Sequence, residues 1–389
     1  MKEEGYVGRE QTLVKHLILK NYLERFAHII YKRFESITYV DCFSGPWQDR
    51  SADHEDSSFS IALSELRKAQ GTHDRLGNKR QIRCFFLEKD PRAYRELEAF
   101  AARVGDAEIK TENKRFEESI DAILQFVKQG GPNTFPFFFI DPTGWTGFSL
   151  DTISPLLRVS PGEVLINFMT SFIRRFVEQG ETQSSFAQLF GSAGYREWFE
   201  GLHGDERDDT LVGIYADRVR EAGRFAFART AIVIHPEKAR THFHLIYLTR
   251  HRTGVRVFKE IEKKAMAKME SLRADARARK REASTGMGDL FADQGILQTN
   301  ESIYYNKLRM HYLGKAKVSV QRALRERRRI AYSDAWEIAL SSPLVWESDL
   351  KSWLEEWTNS GLIEVTGLKG KERTPKFDQT DHHIVWLRP

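Results

Sequence analysis

The chain has 389 residues, 41% of them hydrophobic, and a formal charge of +5 with a pI near 9.0. That length suggests two or three domains with a full apolar core, and the mild basic excess is compatible with a nucleic-acid partner without requiring one. No apolar run approaches the ~18 to 20 residues that cross a bilayer, the opening Met1-Lys2-Glu3-Glu4 lacks the apolar core of a secretion signal, and two cysteines cannot build a disulfide framework or a zinc site.

A cytoplasmic protein is therefore expected, with Cys42 and Cys84 as buried reduced thiols. Residues 8 to 34 place Leu13, Leu17, Leu19, Tyr22, Leu23, Phe26, Ile29 and Ile30 at helical spacing, with Lys15, His16 and Lys20 on the polar side. Strands are expected at 37–42, 82–87, 107–111, 135–140, 163–169, 226–235 and 241–249, with helices notably at 91–104 and 115–129. Alternating strands and helices argue for a doubly wound parallel sheet. The last two strands are joined only around Pro236-Glu237-Lys238, too short for a parallel crossover, so they form an antiparallel hairpin. Two insertions stand out. Residues 48–80 carry Asp53, His54, Glu55, Asp56 and a turn region from Gly71 to Asn78. Residues 170–225 read as a helical cap or substrate platform beginning at Arg174 and Arg175, or as a solvated helix start.

From 251 onward the composition turns to charge. Arg252, Arg256, Lys259, Lys263, Lys264, Lys268, Arg273, Arg277, Arg279, Lys280 and Arg281 make a basic helical arm, and Ala283 to Gly288 reads as a linker. A second run, Arg322, Arg325, Arg327, Arg328 and Arg329, precedes a helix over 332–340 that Ser333 or Asp334 would cap. A further helix over 347–360 shows Leu350, Trp353, Leu354 and Trp357 on one face and stops at Gly361. Strands at 362–365 and 383–387 flank a loop with Lys369, Lys371 and Arg373. Helices followed by a hairpin with a basic tip form a winged helix-turn-helix pattern, which serves nucleic acid or protein docking. The division is then 1–258 for the sheet domain, 259–315 for arm and linker, and 316–389 for the winged helix.

Three of the strands stop at an acid: Asp41 before Phe43-Ser44-Gly45-Pro46, Glu88, and Asp141 before Pro142-Thr143-Gly144-Trp145. In an open parallel sheet these positions share one rim, where ligands sit. The order and turn chemistry resemble an S-adenosylmethionine-dependent methyltransferase, a Rossmann-like sheet of seven strands. That resemblance implies that Asp41, Phe43, Ser44 and Gly45 meet the cofactor's methionine part, Glu88 its ribose and Asn113 its adenine. Asp141-Pro142 stands where amino-methyltransferases accept hydrogens of an exocyclic amine, and Trp145 could stack on a flipped base. Two departures accompany it: Trp47 replaces a second glycine, and Thr143-Gly144 replace a second proline and an aromatic. The plainer reading makes these carboxylates helix caps and Trp145 a core residue.

More specifically, Lys15-His16 with Leu19 and Tyr22-Leu23, Val40 to Pro46, Phe139 to Gly144 and His244 to His251 resemble the bacterial three-Cys-motif partner proteins, TcmP. The likeness covers most of the chain. It implies a methyltransferase-like domain, a C-terminal winged helix, and a partner with a radical-type iron–sulfur three-cysteine motif. The Lys15-His16 helix is also similar to that of ribosomal-RNA adenine methyltransferases, which implies that His16 lies over the cofactor. The resulting expectation is a methyltransferase for nucleic acid that substrate contacts at Arg174, Arg175, Lys369, Lys371 and Arg373 would serve. Its rivals are a catalytically silent nucleic-acid-binding or adaptor protein and a small-molecule or protein methyltransferase.

Overall fold

The structure, a computed structural model, describes residues 3–45, 55–144, 146–177, 179–285, 303–370 and 372–387. The expectations for Pro46, Trp47, Asp53, His54, Trp145, Gly286 to Gly288 and Lys371 lie outside the described residues.

Seven strands, β1 (Ser36–Asp41), β2 (Gln81–Leu87), β3 (Glu108–Glu112), β4 (Thr134–Ile140), β5 (Glu163–Phe168), β6 (Phe227–Ile234) and β7 (Thr241–Thr249), form one sheet in the order β3-β2-β1-β4-β5-β7-β6. Pairings among β1 to β5 are parallel, whereas β7 runs antiparallel to both β5 and β6. This is a Rossmann-like mixed sheet with one reversed strand, the arrangement expected from the short turn after β6. Strand β4 shows why these segments read as unbroken apolar runs: Phe135, Phe137 and Phe139 feed one face while Phe138 and Ile140 feed the other, and both faces are covered.

One face is covered by α1 (Glu10–Ile30), α2 (Ser58–Arg75), α3 (Pro91–Ala102) and later α9 (Arg252–Thr285). The opposite face takes α4 (Ile120–Gln129), α5 (Leu150–Leu157), and from the insertion α6 (Thr170–Phe176), α7 (Gln183–Phe190) and α8 (Gly204–Ala222). The insertion after β1 is thus mainly α2, a crossover helix whose Phe59, Ala62, Leu63 and Leu66 are buried.

The C-terminal region corrects four expectations. A boundary at 258 falls inside α9, and one at 315 falls inside α10 (Ile303–Arg327). The reason is apolar: Val255, Phe258, Ile261, Met266 and Met269 of α9 are buried in the same core as α1. Nor is α9 a free basic arm. Lys259 is buried and paired with Glu262, Arg273 with Glu270, Arg279 with Glu10, Lys280 with Glu237 and Arg252 with Glu337. Charge along the helix reflects internal pairing, which the composition shift concealed. Past α10 come β8 (Arg329–Ala331), α11 (Tyr332–Ala339), α12 (Glu347–Asn359), β9 (Ile363–Thr366) and β10 (His383–Trp386). The last three strands form an antiparallel sheet ordered β8-β10-β9, in which β8 is an addition to the expected hairpin. Neither Ser333 nor Asp334 caps α11, because the helix begins directly after β8 and the Tyr332 N–H is taken by the His382 carbonyl at 2.9 Å. Gly361, at φ 66°, ends α12 as expected, since that backbone conformation suits a residue without a Cβ.

Candidate functional site

The strand order reverses at the junction of β1 and β4, which opens a crevice beyond their carboxyl ends. A cavity of ≈ 650 Å³ occupies it. Phe43 and Gly45 after β1, Asp141 and Pro142 after β4, and Asn167 and Met169 at the end of β5 form its floor. Helix α1 roofs it with Lys15 and His16, while His242 of β7 closes one side. A smaller cavity of ≈ 30 Å³ adjoins along Phe43 and Thr143 and reaches Glu88 at the tip of β2.

Asp141 is the electrostatic centre. Lys15 Nζ donates to its Oδ2, and Asn167 Nδ2 donates to its Oδ1 at 2.7 Å. Because the carboxylate demands a donor, the Asn167 amide is fixed with nitrogen towards Asp141. Its Oδ1 is left buried without a hydrogen bond. The Nδ1 atom of His242 is in the same condition. Burial, together with His235, Arg240 and Lys15, pushes the His242 imidazole down to about 4. His16 is held well below its ordinary value by burial, then by Lys15 and Arg9, and its Nδ1 meets the Tyr6 hydroxyl at 2.9 Å. Both imidazoles are therefore neutral at physiological pH.

Asp41 and Ser44 take supporting places beneath the cavity and not places on its wall. Asp41 is fully buried, accepting from Phe43 N at 3.1 Å and from Ser58 Oγ at 2.5 Å. Burial raises its carboxyl to about 6, against the opposing pull of the Ser58 and Phe43 bonds, with Asp141 adding to the rise. Ser44 fastens the turn to β2: its N–H donates to the Leu87 carbonyl at 2.8 Å, and its Oγ accepts the Leu87 N–H at 3.1 Å. These bonds hold Phe43 and Gly45 in position.

Glu88 is almost inaccessible, and burial raises its carboxyl above the ordinary value. Oε1 accepts the Asp90 N–H at 2.7 Å, and among the described residues no cation pairs with it. Asn113 donates Nδ2 to the Glu88 carbonyl at 2.8 Å and so positions the acid from behind.

The substrate candidates are dispersed. Arg174 pairs with Asp208 of α8, and Arg175 lies over its neighbour Phe176 at 5.7 Å, so neither lines the cavity, although Phe172 of the same helix does. On the distant hairpin loop, Lys369 pairs with Asp381 at 2.5 Å, while Arg373 is exposed. The reading of the sequence did not single out Asn167 or His242. Asn167 had a signal, as a lone polar residue near the end of the apolar run Val164 to Phe168.

No family model matches the chain, and no curated protein matches it. Similar solved structures include a DUF519 protein of Legionella pneumophila (TM-score 0.35, 11% identity, 67% of this chain and 92% of that one). An O-methyltransferase family protein from Burkholderia thailandensis is another (0.27, 13%, 62% and 59%). A third is a loganic acid methyltransferase with SAH (0.30, 11%, 79% and 91%). The likenesses are loose, and the fold rests on the sheet order itself.

Proposed function

We propose that this chain is an S-adenosylmethionine-dependent methyltransferase that acts on nucleic acid at a base amine. The observation that carries the reading is Glu88: a buried carboxylate at the tip of β2, with no paired cation among the described residues, on the small cavity that adjoins the one at the switch point of the sheet. Two vicinal ribose hydroxyls would supply the donors it lacks, with Phe43 and Gly45 bordering the methionine portion and Asn113 keeping Glu88 in place. The cofactor supplies a methyl group on a sulfonium, whose departure needs little acid help. The chain's task is then positioning. Asp141 and the Pro142 carbonyl accept the hydrogens of the incoming amine and aim its lone pair, and Lys15 holds the Asp141 carboxylate in orientation. The proton released on transfer has Asp141 as its acceptor.

The C-terminal helices and three-stranded sheet fit a winged helix, with Arg322, Arg325, Arg327 and Arg329 exposed at its foot and Arg373 on its loop. That distribution supports phosphate contacts. The resemblance to three-Cys-motif partner proteins adds a protein partner to the proposal.

One observation favours the adaptor reading. Both Asp141 oxygens are already engaged, by Lys15 and Asn167, so an amine must displace one of them. Calorimetry with S-adenosylmethionine and S-adenosylhomocysteine decides the first step: Glu88→Ala should weaken binding roughly ten- to a hundredfold, the loss of charge-assisted bonds worth about 1.5 to 3 kcal/mol. Equal affinity in wild type and variant would remove Glu88 from the site. Tritiated methyl incorporation into DNA, RNA and protein fractions, with and without the three-cysteine partner, decides the second. Labelled nucleic acid that disappears with Asp141→Ala supports the enzyme, whereas unlabelled fractions from cofactor-bound protein favour the adaptor.

A further inference from the structure

A second cleft lies away from the site above, where the edge strand β6, helix α8 and the C-terminal helices α10 and α11 meet. Its volume is ≈ 640 Å³, the size of a metabolite site. On its wall stands Arg229 of β6, 7% exposed. A guanidinium has five N–H donors. Here Nη1 donates to the Ala228 carbonyl at 2.7 Å and Nη2 to the Glu337 carbonyl at 3.3 Å, while Nε has no partner. The acids around it are occupied: Asp209 receives the Tyr312 hydroxyl, Asp217 pairs with Arg220 at 3.3 Å, and Glu337 pairs with Arg252 at 2.5 Å. Among the described residues, Arg229 and the exposed Lys315 are the cations of this cleft that no carboxylate pairs.

A buried cation needs a counter-charge, since removing it from water is expensive and carbonyl oxygens return only part of that loss. Burial draws the Arg229 guanidinium down to about 10 with Arg220 adding to the fall, and the Glu337 carboxylate opposes only part of it. We infer that this cleft is a binding site for a small oxyanion, a phosphoryl or carboxylate group seated on Arg229 with Lys315 on the facing wall. Nε is itself inaccessible, but Nη1 and Nη2 each carry a second N–H beyond those given to the Ala228 and Glu337 carbonyls, and these are the donors a planar or tetrahedral oxyanion group would take. Bound there, the anion would bridge the sheet edge and the C-terminal module, because Arg229 belongs to β6 while Lys315 belongs to α10. The inference is independent of the methyltransferase reading.

Thermal unfolding of the full chain tests it, in sodium phosphate and in sodium citrate against sodium chloride at matched ionic strength. Wild type should show a saturable rise in Tm in phosphate or citrate beyond that in chloride. A response to phosphate alone identifies a phosphoryl ligand, and a response to citrate alone a carboxylate. Arg229→Gln should raise the midpoint of that saturation by roughly tenfold or more. Lys315→Ala, at an exposed position, should raise it several-fold while leaving the Tm in chloride unchanged, and it decides the matter if Arg229→Gln does not fold. Tm values in phosphate and citrate that equal those in chloride would overturn the inference. So would a midpoint that Lys315→Ala and Arg229→Gln leave where it is in wild type.

Discussion

Replacing Asp41 by Asn should stabilise the protein at neutral pH and do nothing near pH 4. The carboxyl lies wholly inside the fold and titrates near 6, against an ordinary value of 3.8. Between those two pH values the folded state holds a proton that the unfolded chain has released, so stability falls as pH rises through that window, and the full penalty is present above about 6. The interval converts to on the order of 3 kcal/mol. Asn accepts from Phe43 N with its oxygen and donates to Ser58 Oγ with its nitrogen, and that nitrogen turns the long bond of 3.4 Å from the Tyr39 hydroxyl into a donation to it. It carries no charge, so the penalty is absent. Urea denaturation of wild type and Asp41→Asn at pH 7 and pH 4 measures the difference directly. A variant no more stable than wild type at pH 7, or a gain of equal size at both pH values, would refute the reasoning. A stabilising change beneath the cavity at the switch point is also where a compromise between stability and activity is expected if the proposed function holds.

Two further outcomes test the C-terminal half. Lys259 and Glu262 form an ion pair with 2% and 0% side-chain exposure, so Lys259→Met should cost about 3–5 kcal/mol in urea denaturation, and adding Glu262→Met should recover only part of that, because the Leu344 N–H and the Trp346 indole lose their acceptor. If the exposed arginines contact phosphates, charge reversal at Arg322, Arg325 and Arg327 should flatten the salt dependence of nucleic-acid binding in a fluorescence titration, because fewer counterions are released; binding that ignores both salt and these changes points to protein docking instead.

The strands were legible because parallel strands covered on both sides are apolar throughout, as in Phe135 to Ile140. Glu88 and Asp141 were legible for the converse reason: an acid at the end of such a run marks the edge of the sheet. Their environments were not. Lys15 and Asp141 are 126 positions apart and meet only through the packing of α1 over β4. Asp41 read as a wall residue because sequence gives position along a strand but not depth below a cavity. Charge composition misplaced the boundaries at 258 and 315, since a helix can be heavily charged outside its apolar stripe and still belong to a core. His242 left no distinguishing mark in the alternation of Thr241 to His244.

The apolar body that begins at Tyr6 continues through α1 and α9 into Trp336, Trp357 and Trp386 without a break. The carboxyl of Glu262 on α9 accepts from both the Leu344 N–H at 2.9 Å and the Trp346 indole at 3.2 Å. The C-terminal module is therefore not a passenger on a tether. Removing it would take the Leu344 and Trp346 donors from Glu262 and the Glu337 carboxylate from Arg252, so a fragment ending after α9 inherits an unfinished interior. Melting of the intact chain, followed by circular dichroism and by tryptophan fluorescence, should accordingly be one cooperative event.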